Sequence, residues 1–155
     1  MEIRALRPGD NRANFRTGDP HLDLYFRDYA TRDPYGAHLG VPFVAVTSRW
    51  IVGFACVAPA QLVLEGTSRP VLRLARLGVD RSARGQGVGA QLLRFVLLMA
   101  VCMEHAGVVA DARGPEFFAR YGFLPIELEE GCSDERPRPV PMFLATRAIS
   151  AALAS

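Results

Sequence analysis

The run Arg84-Gly85-Gln86-Gly87-Val88-Gly89 is the part of this chain whose residue types and spacing point most directly to chemistry. Alternating glycines give the backbone conformations closed to other residues and leave no side chain in a ligand's way. A loop of this kind that opens straight into a helix turns its own amides and the helix's first amides outward together. Such a nest, at the positive end of a helix dipole, binds phosphate. Arg84 and Arg81 can add charge-assisted bonds to the same oxygens. Two other glycine-loop chemistries are excluded. A dinucleotide fold needs G-x-G-x-x-G behind one of its first strands, and the spacing here is different. A P-loop needs a lysine, and all 18 basic residues are arginine. What remains is R-x-x-G-x-G, behind a strand ending Arg76-Leu77-Gly78-Val79-Asp80.

Other groups were weighed for acid–base or binding work. Glu65, Asp111 and Glu116 are the acidic candidates, each with the alternative of a solvated carboxylate in a loop or at a helix start. Arg4, Arg7, Arg12, Arg16, Arg73 and Arg76 offer a track for a nucleic-acid backbone. Asp10, Asp19 and Asp23 dilute that track, and a solvated face of mixed charge is the other reading. His21, His38 and His105 lack ligand spacing, and none of the 3 cysteines forms a C-x-x-C pair, so no metal site is expected. Cys56 and Cys102 lie in apolar runs and read as buried small hydrophobes; Trp50 opens an apolar strand and reads as core.

These groups need a scaffold, and glycines and prolines mark its joints. Ile3 to Leu6 reads as a strand. Pro20 to Arg32 reads as a helix, with Leu22, Tyr25, Phe26 and Tyr29 at helical spacing. Val41 to Thr47 and Trp50 to Ala58 read as strands joined by a tight turn at Ser48-Arg49, and Val71 to Val79 as a further strand. A long helix should run from the glycine loop to near His105-Ala106-Gly107. Val108 to Ala110 is a short strand, Pro115 starts a helix ending at Arg120 or Tyr121, and Phe123 to Leu128 and Val140 to Thr146 are the last strands. Glu129 to Pro139 reads as a loop, and the Ala-rich tail from Arg147 as a short helix for dimer or partner contact. Local strand pairing followed by strand–helix alternation gives an α/β or α+β fold with one central, partly antiparallel sheet.

With those elements in place, the chain resembles the GNAT acetyltransferases over roughly Ile3 to Thr146. That family carries R/Q-x-x-G-x-G/A after its fourth strand. It also carries a strand, a short helix with F-Y and then G-F, here Val108-Val109-Ala110 followed by Glu116-Phe117-Phe118-Ala119-Arg120-Tyr121-Gly122-Phe123. The resemblance implies a mostly antiparallel mixed sheet, splayed between its fourth and fifth strands and flanked by helices. It implies acetyl-CoA as cofactor, held by Leu77, Gly78, Val79, Arg84, Gly85, Gln86, Gly87, Val88, Gly89 and Ala90, with Phe117 and Phe118 alongside. The family's usual proton donor is the tyrosine of F-Y. Phe118 stands there, and a phenyl ring donates no proton. Tyr121, three residues on, is the candidate substitute, with closure of the helix onto the sheet as its other role.

Phe15-Arg16-Thr17-Gly18, Leu22-Asp23-Leu24-Tyr25-Phe26 and Ala75-Arg76-Leu77-Gly78-Val79-Asp80-Arg81-Ser82 are further similar to the TacT-type toxin acetyltransferases. This implies transfer to the amino group of aminoacyl-tRNA, a small DNA-binding antitoxin, and Arg76 as a substrate contact. A small amine or a protein N-terminus is an alternative acceptor, and a non-catalytic acyl-CoA-binding module is a third reading. The 155 residues fit one domain, with a homodimer as an option. A net charge of +2 does not by itself signal nucleic-acid binding. The opening Met1-Glu2-Ile3-Arg4 carries no export signal, and the apolar run Leu92 to Met103 is too short to span a bilayer, so a cytoplasmic protein is expected.

Overall fold

The computed structural model describes residues 1–30, 40–127 and 139–153. Among the described residues, seven strands hydrogen-bond in the order β1-β2-β3-β4-β5-β7-β6. They are β1 (Glu2–Ala5), β2 (Val41–Thr47), β3 (Trp50–Leu64), β4 (Thr67–Val79), β5 (Gly107–Ala112), β6 (Leu124–Pro125) and β7 (Val140–Ala145). The helices are α1 (Pro20–Leu24), continued by a π-helical turn Tyr25–Tyr29, a 3-10 turn Arg81–Ala83, α2 (Val88–Cys102), α3 (Pro115–Ala119) and α4 (Thr146–Leu153). The fold is mixed α/β with a mostly antiparallel sheet, as the family resemblance implies. Two compact units divide the chain: Met1–Ala58 with Ala75–Phe95, and Pro59–Leu74 with Val96–Ser155.

In the first unit β1 pairs with β2 and β2 with β3, both antiparallel. The β2–β3 turn places Ser48 at φ 46° and Arg49 at φ 79°, the left-handed pair that a tight two-residue hairpin needs. Trp50 then faces Thr47 at the strand end and is 62% exposed, so it is not core. The core on one face of this unit is aromatic. Phe26 stacks on Phe54 at 4.5 Å, and Phe15 meets Phe26 at 4.6 Å and Phe54 at 5.6 Å.

Asp19 caps α1, its carboxylate accepting from the amides of His21 and Leu22, and Pro20 occupies the first turn. The α-helix expected to run on to Arg32 instead widens after Leu24. The Ala30 amide reaches back five residues to the Tyr25 carbonyl at 2.9 Å. The wider turn buries both Tyr25 and Phe26, consecutive residues that a regular helix would splay by 100°. The Arg12 guanidinium donates to the Phe26 carbonyl at 2.6 Å, serving a backbone acceptor of the widened turn. Residues 31–39, which hold the expected end of that helix and His38, lie outside the described residues.

Gly53 and Gly78 permit two close approaches in this unit. A Cβ on Gly53 would sit 2.8 Å from Val88 and 2.9 Å from Leu92, so its absence lets the first turn of α2 lie directly on the strand. A Cβ on Gly78 would meet the Phe54 ring at 2.7 Å and the Thr17 methyl at 3.0 Å.

In the second unit β5 pairs in parallel with β4 from Leu72–Val108 to Leu74–Ala110, and β4 runs on through Ala75–Val79 past the last registered pair. β7 pairs antiparallel with β5 and with β6. β3 and β4 outrun their expected ends and form one long hairpin through Glu65 and Gly66, both at positive φ. β6 is only two residues long, against an expected strand from Phe123 to Leu128, and residues 128–138, including Cys132, lie outside the described residues. Cys102 closes α2 on its solvent side and is exposed, whereas Cys56 is buried as expected. The amphipathic spacing of α2 explains the difference, because Leu92, Leu93, Val96, Leu97 and Ala100 take the buried stripe.

The crowding at Gly78 gives a test. Gly78→Ala should lower unfolding stability by about 1–3 kcal/mol, read from the urea midpoint, because neither the Phe54 ring nor Thr17 has room to move aside. An unchanged midpoint would mean that this contact is looser than the geometry indicates.

Candidate cofactor site

The connection between β4 and α2 is held from below before it can hold anything above. Asp80 makes the first tie. Its amide donates to the Val52 carbonyl at 2.8 Å. Its carboxylate accepts from the Arg16 amide at 2.8 Å and from the Ser82 amide at 3.0 Å, and bonds the Ser82 hydroxyl at 2.5 Å. Burial alone would raise the Asp80 pKa. The bonds from Ser82 and Arg16, with the Arg16 charge, outweigh it and hold the carboxyl below its usual range. The Arg81 amide returns a bond to the Arg16 carbonyl at 2.8 Å. Segment 15–18 is thus zipped to segment 80–84.

A second carboxylate fixes the far side of that zipper. Asp23, 5% exposed, accepts from the Thr17 amide at 2.8 Å, the Thr17 hydroxyl at 2.7 Å and the Gly18 amide at 3.3 Å. Gly18 sits at φ +97°, and a Cβ there would lie 3.1 Å from both the Arg81 and Arg84 guanidinium groups. The two arginines therefore pass closely over a bare backbone, and Arg84 donates to the Thr17 carbonyl. Thr17, Gly18 and Asp23 were not singled out from the sequence as site residues. The local signal was Thr-Gly-Asp-Pro as a turn with a helix cap, which says nothing of a partner 67 positions away.

Above this base lies the glycine run. Gly85 and Gly87 adopt φ +77° and +79°, and a Cβ on either would meet nothing within 4 Å. They are glycine for conformation, and the space over them is open. Gly87 closes the loop by accepting from the Gln91 amide at 3.0 Å, the first rung of α2. The amides of Val88, Gly89 and Ala90 belong to the first turn, which has no intrahelical acceptor to offer them. With the dipole of a 15-residue helix behind them, they suit a diphosphate. Gln86 is exposed, its side chain directed back at the Ser82 carbonyl at 3.5 Å.

Leu77 and Val79 are half-buried at the end of β4 and flank buried Gly78. Arg76 is packed over the Tyr25 ring, 4.9 Å from its centroid. Of the proposed arginine track, Arg4 is locked to Asp10 by two bonds of 2.8 Å, and Asp10 is lowered to about 2 chiefly by that bond. Arg73 is committed to Asp111 at 2.5 Å and 3.1 Å, so Asp111 serves as an ion-pair partner. Glu65 sits in the hairpin turn and Glu116 in the first turn of α3, both exposed.

In the second unit Phe118 is 5% exposed and meets Phe123 at 5.4 Å and Phe117 at 5.1 Å. Tyr121 is half-buried, its ring 5.5 Å from Phe117. No group of three or more metal-ligating side chains occurs among the described residues. No helix among them is long and apolar enough to cross a membrane.

A family model described as "Acetyltransferase (GNAT) domain" matches residues 39–125. A curated relative from Mycobacterium tuberculosis (strain ATCC 25618 / H37Rv), named tRNA-acetylating toxin, is 32% identical over 101 residues. The alignment covers 59% of this chain and 60% of the relative. Among solved structures, a mutant of the toxin AtaT bound to the C-terminus of the antitoxin AtaR and acetyl-CoA superposes at TM-score 0.76. It shares 21% identity, over 99% of this chain and 98% of that one. AtaT complexed with acetyl-methionyl-tRNAfMet superposes at TM-score 0.74 with 19% identity over 98% of each chain. A KacTA–DNA complex gives TM-score 0.76 and 19% identity over 99% of this chain and 98% of that one. At these identities the structural likenesses establish the fold.

The Asp80 zipper predicts a pH signature. A carboxyl with a lowered folded pKa adds stability that is present above its unfolded value, near 4, and is lost as pH falls through the folded value. Asp80→Asn should therefore cost about 1–3 kcal/mol at pH 7. The gap to wild type should narrow in urea unfolding near pH 3. A gap independent of pH would show that the charge of Asp80 does not hold the zipper.

Proposed function

We propose, from the premise that this chain belongs to the GNAT acetyltransferase family, that residues 1–155 form one acetyl-CoA-dependent N-acetyltransferase domain, acting on the amino group of aminoacyl-tRNA as the toxin of a toxin–antitoxin pair. The observation that carries the catalytic reading is the open amide nest over Gly85 and Gly87 at the start of α2. The relative's name and the structural neighbours support the acceptor and the antitoxin partner. A cytoplasmic location accords with such an acceptor.

Acetyl-CoA supplies a thioester carbon open to attack by an amine. The nest from Arg84 to Ala90 grips the pyrophosphate with main-chain amides, and Arg84 and Arg81 add charge from the side held by Thr17 and Gly18. Leu77, Gly78 and Val79 present a strand end whose amides and carbonyls can pair with an amide-bearing arm, as an added strand would. A backbone amide there polarises the carbonyl under attack. The new C–N bond forms as the C–S bond breaks; one proton reaches the departing sulfur, and the proton that the amine loses restores its donor. A free α-amine has a pKa near 8, so part of it is neutral at pH 7 and the site needs no strong base. That accords with Asp111 being held by Arg73. Phe118 cannot give the thiolate a proton, so Tyr121 is the residue assigned that step, and Phe117 and Phe118 wall the cofactor.

Two substitutions test this reading. Gly87→Glu places a carboxylate where the phosphates should lie and forces a side chain onto φ +79°; CoA binding by calorimetry should fall below detection. Retained affinity would mean the nest is not the cofactor site. Tyr121→Phe should lower kcat about tenfold or more at little change in KM, the scale of one general acid. An unchanged kcat would confine Tyr121 to packing against Phe117.

A further inference from the structure

Asp80 and Ser82 also line a concavity. It is a cleft of about 290 Å³, lined in part by Asn11, Asn14, Phe15, Trp50, Asp80 and Ser82. That is the low end of small-molecule pockets, room for one ring system. Trp50 stands among its lining residues with its indole 62% exposed. The Asn11 side-chain oxygen is taken by the Ala13 amide at 3.1 Å, which leaves its NH2 as a donor. The Asn14 carboxamide is exposed and forms no hydrogen bond among the described residues. Asp80 ties the three wall segments together, through the Val52 carbonyl, the Arg16 amide and Ser82. Asp80 stays ionised there, its charge offset in part by Arg16. Arg16, Arg49 and Arg81, all exposed, adjoin the lining residues in sequence.

We propose that this cleft binds the adenine ring of a nucleotide, stacked on Trp50 and read at its edge by Asn14. An indole face takes any base, and a carboxamide pairs in two-point fashion with the N6/N7 edge of adenine. Arg49, exposed and next to Trp50 in sequence, can add charge for the attached phosphates. Two molecules in the proposed reaction carry adenine, the CoA donor and the RNA acceptor. Identifying these as the sources rests on the proposed function, whereas the affinity for adenine does not.

Trp50 is the only tryptophan in the chain, so its emission reports this cleft directly. Titration with AMP should quench it to saturation, and UMP should bind about tenfold more weakly. Inorganic pyrophosphate, which fits the nest, should leave the emission unchanged. Asn14→Ala should weaken AMP about tenfold while retaining Trp50 and the fold. Quenching by CoA but not by a short oligoadenylate assigns the cleft to the donor, and the reverse assigns it to the acceptor. Emission indifferent to AMP, CoA and oligoadenylate alike, or AMP affinity unmoved by Asn14→Ala, overturns the proposal. Quenching by AMP in a protein that transfers no acetyl group would leave the cleft standing and remove the catalytic reading instead.

Discussion

Two buried or half-buried carboxylates set the shape of the glycine loop's surroundings. Asp80 ends β4 and draws Arg16, Ser82 and, through its amide, Val52 into one knot. Asp23 does the same for Thr17 and Gly18 from the end of α1. Both are saturated with backbone and hydroxyl donors, the condition under which a poorly solvated carboxylate is tolerable. The consequence is a rigid base under residues 81–84, with Arg81 and Arg84 laid across it. A loop anchored in this way can leave its remaining amides unpaired, because the cost of fixing the backbone has been met below the ligand. Preorganised donors of that kind need not reorganise when an anion arrives.

The helix that carries the other half of the nest is positioned by what is missing from the sheet. Gly53 lets Val88 and Leu92 settle against the strand, and Gly78 gives the opposite face over to Phe54 and Thr17. These two glycines work on opposite faces of neighbouring strands. Together they set the depth of α2 on one side and of the Thr17 turn on the other. Gly85 and Gly87 work differently, since they meet nothing and supply only positive φ and open space. Four glycines in one region thus divide between packing and conformation.

On α3 the family pattern and the chemistry diverge. Phe118 is buried among Phe117 and Phe123, where a phenyl ring is well suited and a hydroxyl would need a partner. Tyr121 keeps its ring in the same cluster and stays half-buried. If transfer proceeds with little help from an acid, the low basicity of the leaving thiolate and of the aminoacyl amine is the reason.

The order of elements, the mixed, partly antiparallel sheet and the place of the glycine loop between a strand and a long helix were legible in the sequence, because each depends on short-range signals. Glycine spacing, an Asp-Pro helix cap and alternating apolar residues act within a few residues of themselves. Element ends were less legible. Trp50 at a hairpin corner, Cys102 on the outer face of α2 and the π-helical turn at Tyr25–Tyr29 all depend on which face the neighbouring elements cover. Only the tertiary structure could decide that Asp23, Thr17 and Gly18 support the loop, that Arg84 reaches Thr17, and that Arg4 and Arg73 are spent on Asp10 and Asp111. Those facts pair residues up to 67 positions apart. A side chain's partner across such a separation is fixed by packing, whereas its own composition fixes only what bonds it can make.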